Sequence, residues 1–457
     1  MTDLYEYQNA EKLGGSLDNL EDFLDEIWAK REVMPSHWNT DPSPSSSQRF
    51  LRFLRRTNEV KSNNYVGVIQ FENQRINLLP KIFFDSTRGT TENDRLAIQQ
   101  HILWWLSYCR KIKFPSFRST LSRQKSDFLE ILIHLFARYT RDLLSNTIYQ
   151  QYEEVNQELN FVKGRIDTNA YINENISKGR WHRVSCSFDA FVMDNRFNRI
   201  VKYVSTILSN ATRDQGNKKN LREILFILDE VKDCPATAED CAKIQFNPMF
   251  SEFETVRDYC ELFLSSCVSF NYNNDLKLFA FLLPMEYVFE DFVLGFIRKE
   301  LQEISAQSQA KGYLDMDKSF QIRPDLVLKF GDLEFLADTK YKMAYSKERL
   351  EKKRIAQTDL YQMVSYAIRF NVRDVALFYP SNISRISPQS QCEPIQVKDE
   401  LAQGETIHIN AFELPIINHK LFGQAAEPHE PLNNSFAETK QNLAKTLRSA
   451  LEEMGTG

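Results

Sequence analysis

An aspartate opens one short apolar run in the last third of the chain, and an aspartate and a lysine close the next. Asp325 precedes residues 326–328, and Asp338 and Lys340 end the run that follows the pair Gly331-Asp332. Two β-prone runs around a Gly-Asp pair predict a hairpin. Side chains alternate along a strand, so Asp338 and Lys340 should share a face, with Asp325 across from them. The sequence therefore predicts two carboxylates and an ammonium at one end of an otherwise apolar hairpin.

This grouping has two interpretations. Carboxylates that are held close repel each other, and a divalent cation removes the repulsion. Mg²⁺ commonly takes one or two carboxylates and keeps several waters, and Mn²⁺ is an alternative. A bound metal activates water and stabilises charge on a phosphoryl oxygen, while Lys340 would orient that water or hold the developing charge. The plainer interpretation is a surface hairpin with a structural Asp–Lys pair.

Two predicted helices accompany the hairpin. Apolar residues recur at helical spacing over residues 357–370, where Gln362 and Tyr366 lie four apart and share a face. A similar stripe over residues 285–301 carries Glu290 on its flank and Glu286 near its start. The plainer interpretation is an amphipathic helix over the sheet for the first and a solvated charge for either glutamate.

Composition and charge bound the function. The chain has 457 residues, 42% hydrophobic and 26% charged, with a formal net charge of −5. These values indicate a globular protein of two or three domains that is not a broadly basic nucleic-acid binder. One local exception is the stretch 340–354, with seven Lys or Arg against two Glu, which would contact phosphates or form a solvated loop. The chain lacks a G-x-x-x-x-G-K-[ST] motif, so we expect no nucleotide hydrolysis by this chain alone.

The seven cysteines are scattered without C-x-x-C spacing, which favours reduced thiols and a cytoplasmic location. No apolar run approaches the length of about 20 residues that a membrane span needs. Within residues 1–34, a helix is suggested by Leu17, Leu20, Phe23, Leu24 and Ile27. Residues 64–84 predict a β-hairpin, and residues 235–280 a mixed but largely helical segment. We predict boundaries that give an N-terminal extension with linker over 1–60, hairpins plus helices over 61–280, the hairpin domain over 281–423, and a linker and helix over 424–457.

These motifs resemble known nucleases. Pro-Asp followed by twelve residues and Asp-x-Lys resembles the site of PD-(D/E)xK nucleases, and Gln-x-x-x-Tyr resembles the helix motif of the RecB-like members. Across residues 60–420 the chain resembles the McrC family, the nuclease subunits of McrBC modification-dependent restriction systems. The resemblance is carried, in chain order, by the segments YVGVIQFENQRINLLPKIF, VKGRID, FDAFVMDNRFNRIVK, YVFEDFV, IRPDLVL, LADTKYK and YQMVSYA.

The resemblance implies a fold and site roles. The fold would be an α+β N-terminal part followed by an α/β restriction-endonuclease-like domain, with a mixed central sheet flanked by helices. Asp325, Asp338 and Lys340 would be catalytic, with Asp325 and Asp338 holding Mg²⁺. Gln362 and Tyr366 would line the site, and Glu290, or less favourably Glu286, would supply a third carboxylate to the metal.

The resemblance also implies partners. Residues 61–280 would dock on a hexameric ring of a McrB-like AAA+ GTPase, which recognises double-stranded DNA carrying modified cytosine, such as 5-methylcytosine, and whose hydrolysis this chain would stimulate. No membrane partner is expected. Two other functions stay open: an autonomous RecB-like repair nuclease, and a non-catalytic assembly subunit. The intact Asp325, Asp338 and Lys340 argue against the last.

Overall fold

The computed structural model describes residues 2–13, 17–18, 20–21, 24, 50–71, 74–109, 128–272, 275–308, 310–313, 315, 317–331, 333–343, 355–384, 395–399, 405–422 and 432–455. Within these residues, no helix is long and apolar enough to cross a membrane. Spatial contacts between residues divide the chain into two compact units. The larger unit is Met1–Leu129 with Ser266–Gly457, and the smaller unit is Glu130–Ser265. The domain boundaries predicted at residues 60, 280 and 423 stay predictions.

The described strands, in chain order, are β1 (Thr2–Tyr5), β2 (Ala10–Lys12), β3 (Leu51–Leu54), β4 (Glu59–Ser62), β5 (Tyr65–Phe71), β6 (Gln74–Leu79), β7 (Gln151–Leu159), β8 (Arg165–Ile166), β9 (Val184–Val192), β10 (Cys267–Tyr272), β11 (Asp275–Pro284), β12 (Ile304–Ser308), β13 (Gly312–Tyr313), β14 (Gln321–Ile322), β15 (Leu326–Phe330), β16 (Leu333–Thr339), β17 (Asp374–Pro380), β18 (Ile395–Asp399) and β19 (Glu405–Leu414).

The longer described helices are α1 (Glu92–Leu106), α2 (Phe128–Asn146), α3 (Arg196–Ala211), α4 (Gln215–Ile227), α5 (Glu252–Ser266), α6 (Met285–Glu300), α7 (Gln357–Phe370) and α8 (Ala437–Met454). Several begin at side-chain caps, which satisfy backbone N–H groups that the first turn leaves unpaired. The side chain of Asn195 caps α3 by accepting a hydrogen bond from the backbone N–H of Asn198. The helices predicted over 285–301 and 357–370 are confirmed as α6 and α7.

The larger unit contains a five-stranded sheet in the order β1-β6-β5-β11-β10. Strand β1 is parallel to β6, and the other neighbours are antiparallel. Its core includes Leu4, Ile69, Ile76, Leu78 and Leu282. The hairpin predicted over residues 64–84 is confirmed as β5 and β6, although the predicted turn residues 72–73 lie outside the described residues.

A six-stranded sheet in the same unit has the order β12-β15-β16-β17-β19-β18. Strands β16, β17 and β19 run parallel, and the remaining pairs are antiparallel, so the sheet is mixed. Helix α7 packs on one face through Met363 and Ala367, against Leu336, Val375 and Leu377. Helix α6 contacts strands β12 and β16. A mixed sheet covered by helices agrees with the α+β architecture predicted from the sequence.

The smaller unit combines helices α3, α4 and α5, and α2 from Glu130 onward, with a three-stranded antiparallel sheet in the order β7-β9-β8. Phe197, Phe253 and Tyr149 meet edge-on in its aromatic core, with ring centroids 5.5–5.6 Å apart. Short helical turns over residues 168–178 follow β8 along the chain.

Two stretches contain strands that were not predicted. The end of the segment 235–280 is not helical, since residues 267–284 contain β10 and β11. In residues 268–272 apolar and polar residues alternate, which is a strand pattern. At the start of residues 1–34, strands β1 and β2 precede the predicted helical stretch. Pairing with β6 and β4 sets these strands, and local sequence carries little sign of it.

Candidate active site

Strands β15 and β16 form the predicted hairpin, with Leu326 opposite Ala337. Continuing that register by one residue places Asp325 opposite Asp338. Gly331 turns the chain with φ +61°, a conformation that glycine adopts without a steric penalty; its predicted turn partner, Asp332, lies outside the described residues. The Lys340 N–H donates to the carbonyl of Phe378 at 2.8 Å and so extends the ladder between β16 and β17 beyond Thr339.

Asp338 and Lys340 form a buried ion pair. The Asp338 side chain is 2% exposed, and its Oδ2 lies 2.5 Å from Lys340 Nζ. Burial raises the pKa of Asp338 to about 7, and the charge of Asp325 adds to this rise while Lys340 opposes it. For Lys340, burial lowers the pKa, but Asp338, Asp325 and Asp359 outweigh it, and the pKa is raised. Lys340 is therefore a charged ammonium at neutral pH.

Asp325 is held by Thr339, the residue between the members of that ion pair. Its Oδ2 accepts from the backbone N–H of Thr339 at 2.8 Å and from the Thr339 hydroxyl at 2.7 Å. Burial raises the pKa of Asp325, although these bonds and Lys340 favour the ionised form. The two carboxylates are thus fixed beside each other in an environment that resists a second negative charge.

Gln362 and Tyr366 reach this group from helix α7. Lys340 Nζ donates to Gln362 Oε1 at 2.9 Å, and Gln362 Nε2 donates to the Tyr366 hydroxyl at 2.6 Å. That hydroxyl donates to the carbonyl of Arg323 at 3.0 Å. Burial, followed by the charge of Asp338, raises the pKa of Tyr366 to about 12, so the phenol keeps its proton. A chain of hydrogen bonds therefore runs from the hairpin through the helix and back.

Asp359 and Lys342 were not among the predicted site residues. Lys342 Nζ lies 2.8 Å from Asp359 Oδ1, and Asp359 is 4% exposed. The charge of Asp359 contributes to the raised pKa of both Asp338 and Lys340. The signal was the spacing: Asp359 precedes Gln362 by three residues, so it lies on the same side of α7. The remainder of the basic stretch, residues 344–354, lies outside the described residues.

Glu290 is half-buried on helix α6. The described residues include no cluster of three or more His, Cys, Asp or Glu side chains placed to hold a metal, so the structure does not group Glu290 with Asp325 and Asp338. Glu286 is exposed, and its charge acts on Glu6, Lys81 and Tyr341. Glu286 therefore belongs to a different group of side chains.

The aspartate pair fits a divalent cation. Burial raises the pKa of both carboxyls, and the charge of Asp325 adds to the rise at Asp338. A cation between them would favour the ionised forms instead. Two carboxylates completed by waters match the ligand set of Mg²⁺. A cation here would activate water and neutralise phosphoryl charge, while Lys340 would supply a fixed ammonium beside it.

Fold and site together define a mixed-sheet α+β protein with a buried aspartate pair, a lysine and a Gln–Tyr helix. The chain belongs to the family described as McrBC 5-methylcytosine restriction system component, whose model matches residues 60–380. This finding confirms the family resemblance predicted from the sequence. A search of curated proteins found no match.

One solved structure shows the same fold, and a second is less similar. A chain in the refined half-complex from the tetradecameric assembly of Thermococcus gammatolerans McrB AAA+ hexamers with bound McrC has a TM-score of 0.68 and 17% identity, covering 98% of this chain and 99% of that one. A chain in the cryo-EM structure of the Thermococcus gammatolerans McrBC complex has a TM-score of 0.48 and 18% identity, covering 66% of this chain and 88% of that one. At this identity, the first likeness shows the fold alone.

Proposed function

We propose that this chain is the DNA endonuclease subunit of a McrBC-type modification-dependent restriction system. It hydrolyses phosphodiester bonds with Mg²⁺ at a PD-(D/E)xK site when bound to a McrB-like AAA+ GTPase ring. The observation that carries the proposal is the convergence of Asp325, Asp338 and Lys340 with Gln362 and Tyr366. Family membership alone would fit an assembly subunit equally well, whereas an assembly subunit has no need of this buried charged group.

The proposed mechanism assigns a role to each side chain. Asp325 and Asp338 would hold Mg²⁺, which activates water and stabilises phosphoryl charge when bound. Lys340, which Gln362 holds by a 2.9 Å hydrogen bond, would position the attacking water or stabilise negative charge in the transition state. Tyr366 would keep Gln362 in place through their 2.6 Å hydrogen bond. Thr339 would fix Asp325 by its two donated hydrogen bonds.

Burial narrows the docking surface for the ring. Three parts of the family segments within residues 61–280 are candidates for docking: residues 66–70, 80–83 and 162–167. The first two are largely buried within the larger unit, whereas residues 162–167 are all exposed. The smaller unit also exposes large apolar side chains on the sheet and turns that include this segment: Tyr152, Phe161, Val162, Ile172, Trp181 and Phe191. Exposed apolar patches of this kind mark protein-binding sites, so we place ring docking on this surface, here called the 162–167 surface.

A cleavage assay tests the proposal. DNA with and without 5-methylcytosine is incubated with the chain alone, with a McrB-like partner, and with partner plus GTP, each in Mg²⁺ and in chelator. We expect cutting of modified DNA only when partner, GTP and Mg²⁺ are all present. Mg²⁺-dependent cutting by the chain alone would support the autonomous nuclease instead. A partner that binds and is stimulated without any cutting would support the assembly subunit.

A further inference from the structure

A buried charged group lies next to the proposed active site in the larger unit. Glu6 is 0% exposed and Lys81 is 7% exposed, and the Lys81 backbone N–H donates to Glu6 Oε2 at 3.1 Å. The Lys81 ammonium lies 4.4 Å from the ring centroid of Tyr341 and 5.6 Å from that of Tyr7. We call Glu6, Tyr7, Lys81 and Tyr341 the Lys81 cluster.

The Lys81 cluster joins segments that are far apart in the chain. Backbone hydrogen bonds hold the segment around Lys81 in place. The Glu6 N–H donates to the Leu79 carbonyl at 3.0 Å, and the Ile383 N–H donates to the Ile82 carbonyl at 2.9 Å. A buried ammonium needs contacts that replace its lost water. Glu6 holds the Lys81 backbone through the 3.1 Å hydrogen bond, and the Lys81 ammonium packs over the Tyr341 ring in a cation–π contact.

Tyr341 connects the cluster to the site because it directly follows Lys340. Neighbouring side chains of an extended strand point in opposite directions. Lys340 accordingly reaches Asp338 and Gln362, while Tyr341 lies 3% exposed against Lys81 and 6.0 Å from the ring of Phe289. The position of the Lys340 backbone is thus fixed from the opposite side by Tyr341.

We propose that Lys81 is a positioning residue for the proposed cleavage reaction. Through its contact with Tyr341, Lys81 holds the backbone of Lys340 in place. Lys81 does not reach the reacting atoms, and its effect passes through Tyr341 and the intervening peptide. The N-terminal strand and turn that end at Glu6 and Tyr7 are therefore part of the cutting module. This inference rests on the proposed function.

The decisive variants are Lys81→Met, which keeps the stem and removes the charge, and Lys81→Arg, which keeps a cation over the ring. Lys299→Met is the control for loss of a cation–π contact elsewhere in the unit, because the exposed Lys299 lies 4.8 Å from the ring centroid of Tyr108. Each protein is measured with partner ring, GTP and Mg²⁺ for single-turnover DNA cleavage and for stimulated GTP hydrolysis. Circular dichroism checks folding.

We expect Lys81→Met to slow single-turnover cleavage on the order of 10–100-fold, as displacement of a catalytic group by about 1 Å does. GTP stimulation should be unchanged, Lys81→Arg should recover most of the rate, and Lys299→Met should match the wild type. In a Lys81→Met, Tyr341→Leu double variant, the loss should not exceed that of the larger single loss, because both act through one contact.

Cleavage by Lys81→Met within about twofold of wild type would overturn the inference. Additive losses in the double variant, or Lys81→Arg as slow as Lys81→Met, would also overturn it. If Lys81→Met fails to fold, Lys81→Arg and Tyr341→Leu carry the test by the same criteria. A wild-type protein that cuts no DNA under any condition would instead refute the proposed function and leave the clamp a structural contact.

Discussion

Opposing influences set the pKa of the Asp338 side chain. Burial and the neighbouring Asp325 raise its pKa to about 7, and Lys340 opposes that rise. A buried carboxylate that contributed only to stability would be expected to have a lowered pKa from its partners. The group is therefore costly to the fold, and a divalent cation or a phosphate-bound metal would relieve that cost. Perturbed pKa values of this kind concentrate at functional sites.

The first prediction concerns the two proposed metal ligands. Asp338→Ala and Asp325→Ala should each reduce Mg²⁺-dependent cleavage by at least about 100-fold, because a lost ligand weakens both metal affinity and geometry. Single-turnover cleavage over a Mg²⁺ titration measures this. The exposed Asp317→Ala serves as a control for loss of an acidic side chain on the same unit. Wild-type cutting by Asp338→Ala would place the site elsewhere.

The second prediction concerns Glu6, whose pKa burial raises from 4.5 to about 7. The folded state binds the proton of the Glu6 carboxyl more tightly than the unfolded chain does. The stabilisation that this proton gives the folded state is complete below about pH 4.5 and is lost as pH rises through about 7. Relative to wild type, Glu6→Gln should gain up to roughly 3 kcal/mol in free energy of unfolding between about pH 5 and pH 8. Urea unfolding at both pH values measures the difference, and a pH-independent difference would contradict the assignment.

At the residue scale, the sequence predicted which site residues share a face of a strand or helix. Alternation along a strand and i,i+4 spacing along a helix are local rules. The distances that bring Lys340 to Gln362 depend on how α7 crosses the sheet, which no local rule gives. Asp359 could have been found, because its position three residues before Gln362 places it on the same side of α7. The Lys81 cluster was missed because Lys81 and Tyr341 are joined only by the tertiary fold.

At the scale of elements, the close approach of two backbones determines which positions tolerate a substitution. Gly295 lies within helix α6, and a Cβ at this position would lie 1.8 Å from the carbonyl oxygen of Tyr108. The helix that carries Glu290 therefore packs against the chain at Tyr108 without room for a side chain. Real Cβ atoms do not approach this closely, so the backbone must move to accept any other residue.

The third prediction follows from that contact. Gly295→Ala should destabilise the larger unit by at least ~2 kcal/mol, in the range expected for overpacking, although alanine favours a helix over glycine by about 1 kcal/mol. Gly89→Ala is the control, since no atom lies within 4 Å of its added Cβ. Urea denaturation of both variants measures the effect. Equal stability of the two would show that helix α6 tolerates the displacement.

Elements with a clear apolar periodicity were predictable from the sequence. Strands whose conformation depends on pairing with a distant strand were not. Helices α6 and α7 and the hairpin of β15 and β16 have clear apolar periods and turn signals. Strand β1 is short and carries no such signal, and its conformation depends on parallel pairing with β6. Strands β10 and β11 pair with each other, and β11 also pairs with β5, which is distant in the chain, so local sequence does not give this arrangement.

At the scale of the whole molecule, cutting and docking are assigned to different units. The proposed cutting site lies in the larger unit, and the 162–167 surface lies in the smaller unit. The family resemblance predicted that docking would fall in the N-terminal half. Exposure could not be predicted from the motifs, and it separates residues 162–167 from the two buried segments. The five-stranded sheet also unites β1 with β11, which sequence-based boundaries had assigned to separate regions.

The fourth prediction tests docking. The Arg165 side chain is 81% exposed on the 162–167 surface, and Arg165→Glu reverses its charge with little effect on packing. We expect stimulated GTP hydrolysis of the ring to fall roughly tenfold at limiting chain concentration, through weaker association. Lys219→Glu, at an exposed position of helix α4 in the same unit, should have no effect. If both variants stimulate like wild type, the docking surface lies elsewhere.

The most direct test of a separate cutting centre at the hairpin is Lys340→Ala, assayed for DNA cleavage and GTP stimulation on one preparation. Loss of a preorganised charge beside the reacting phosphate should slow cleavage on the order of 10²–10³-fold. A half-buried lysine at a strand end contributes little to packing, so the protein should fold, bind the ring and stimulate GTP hydrolysis like wild type. Cleavage at the wild-type rate, or loss of both activities with folding intact by circular dichroism, would contradict the account.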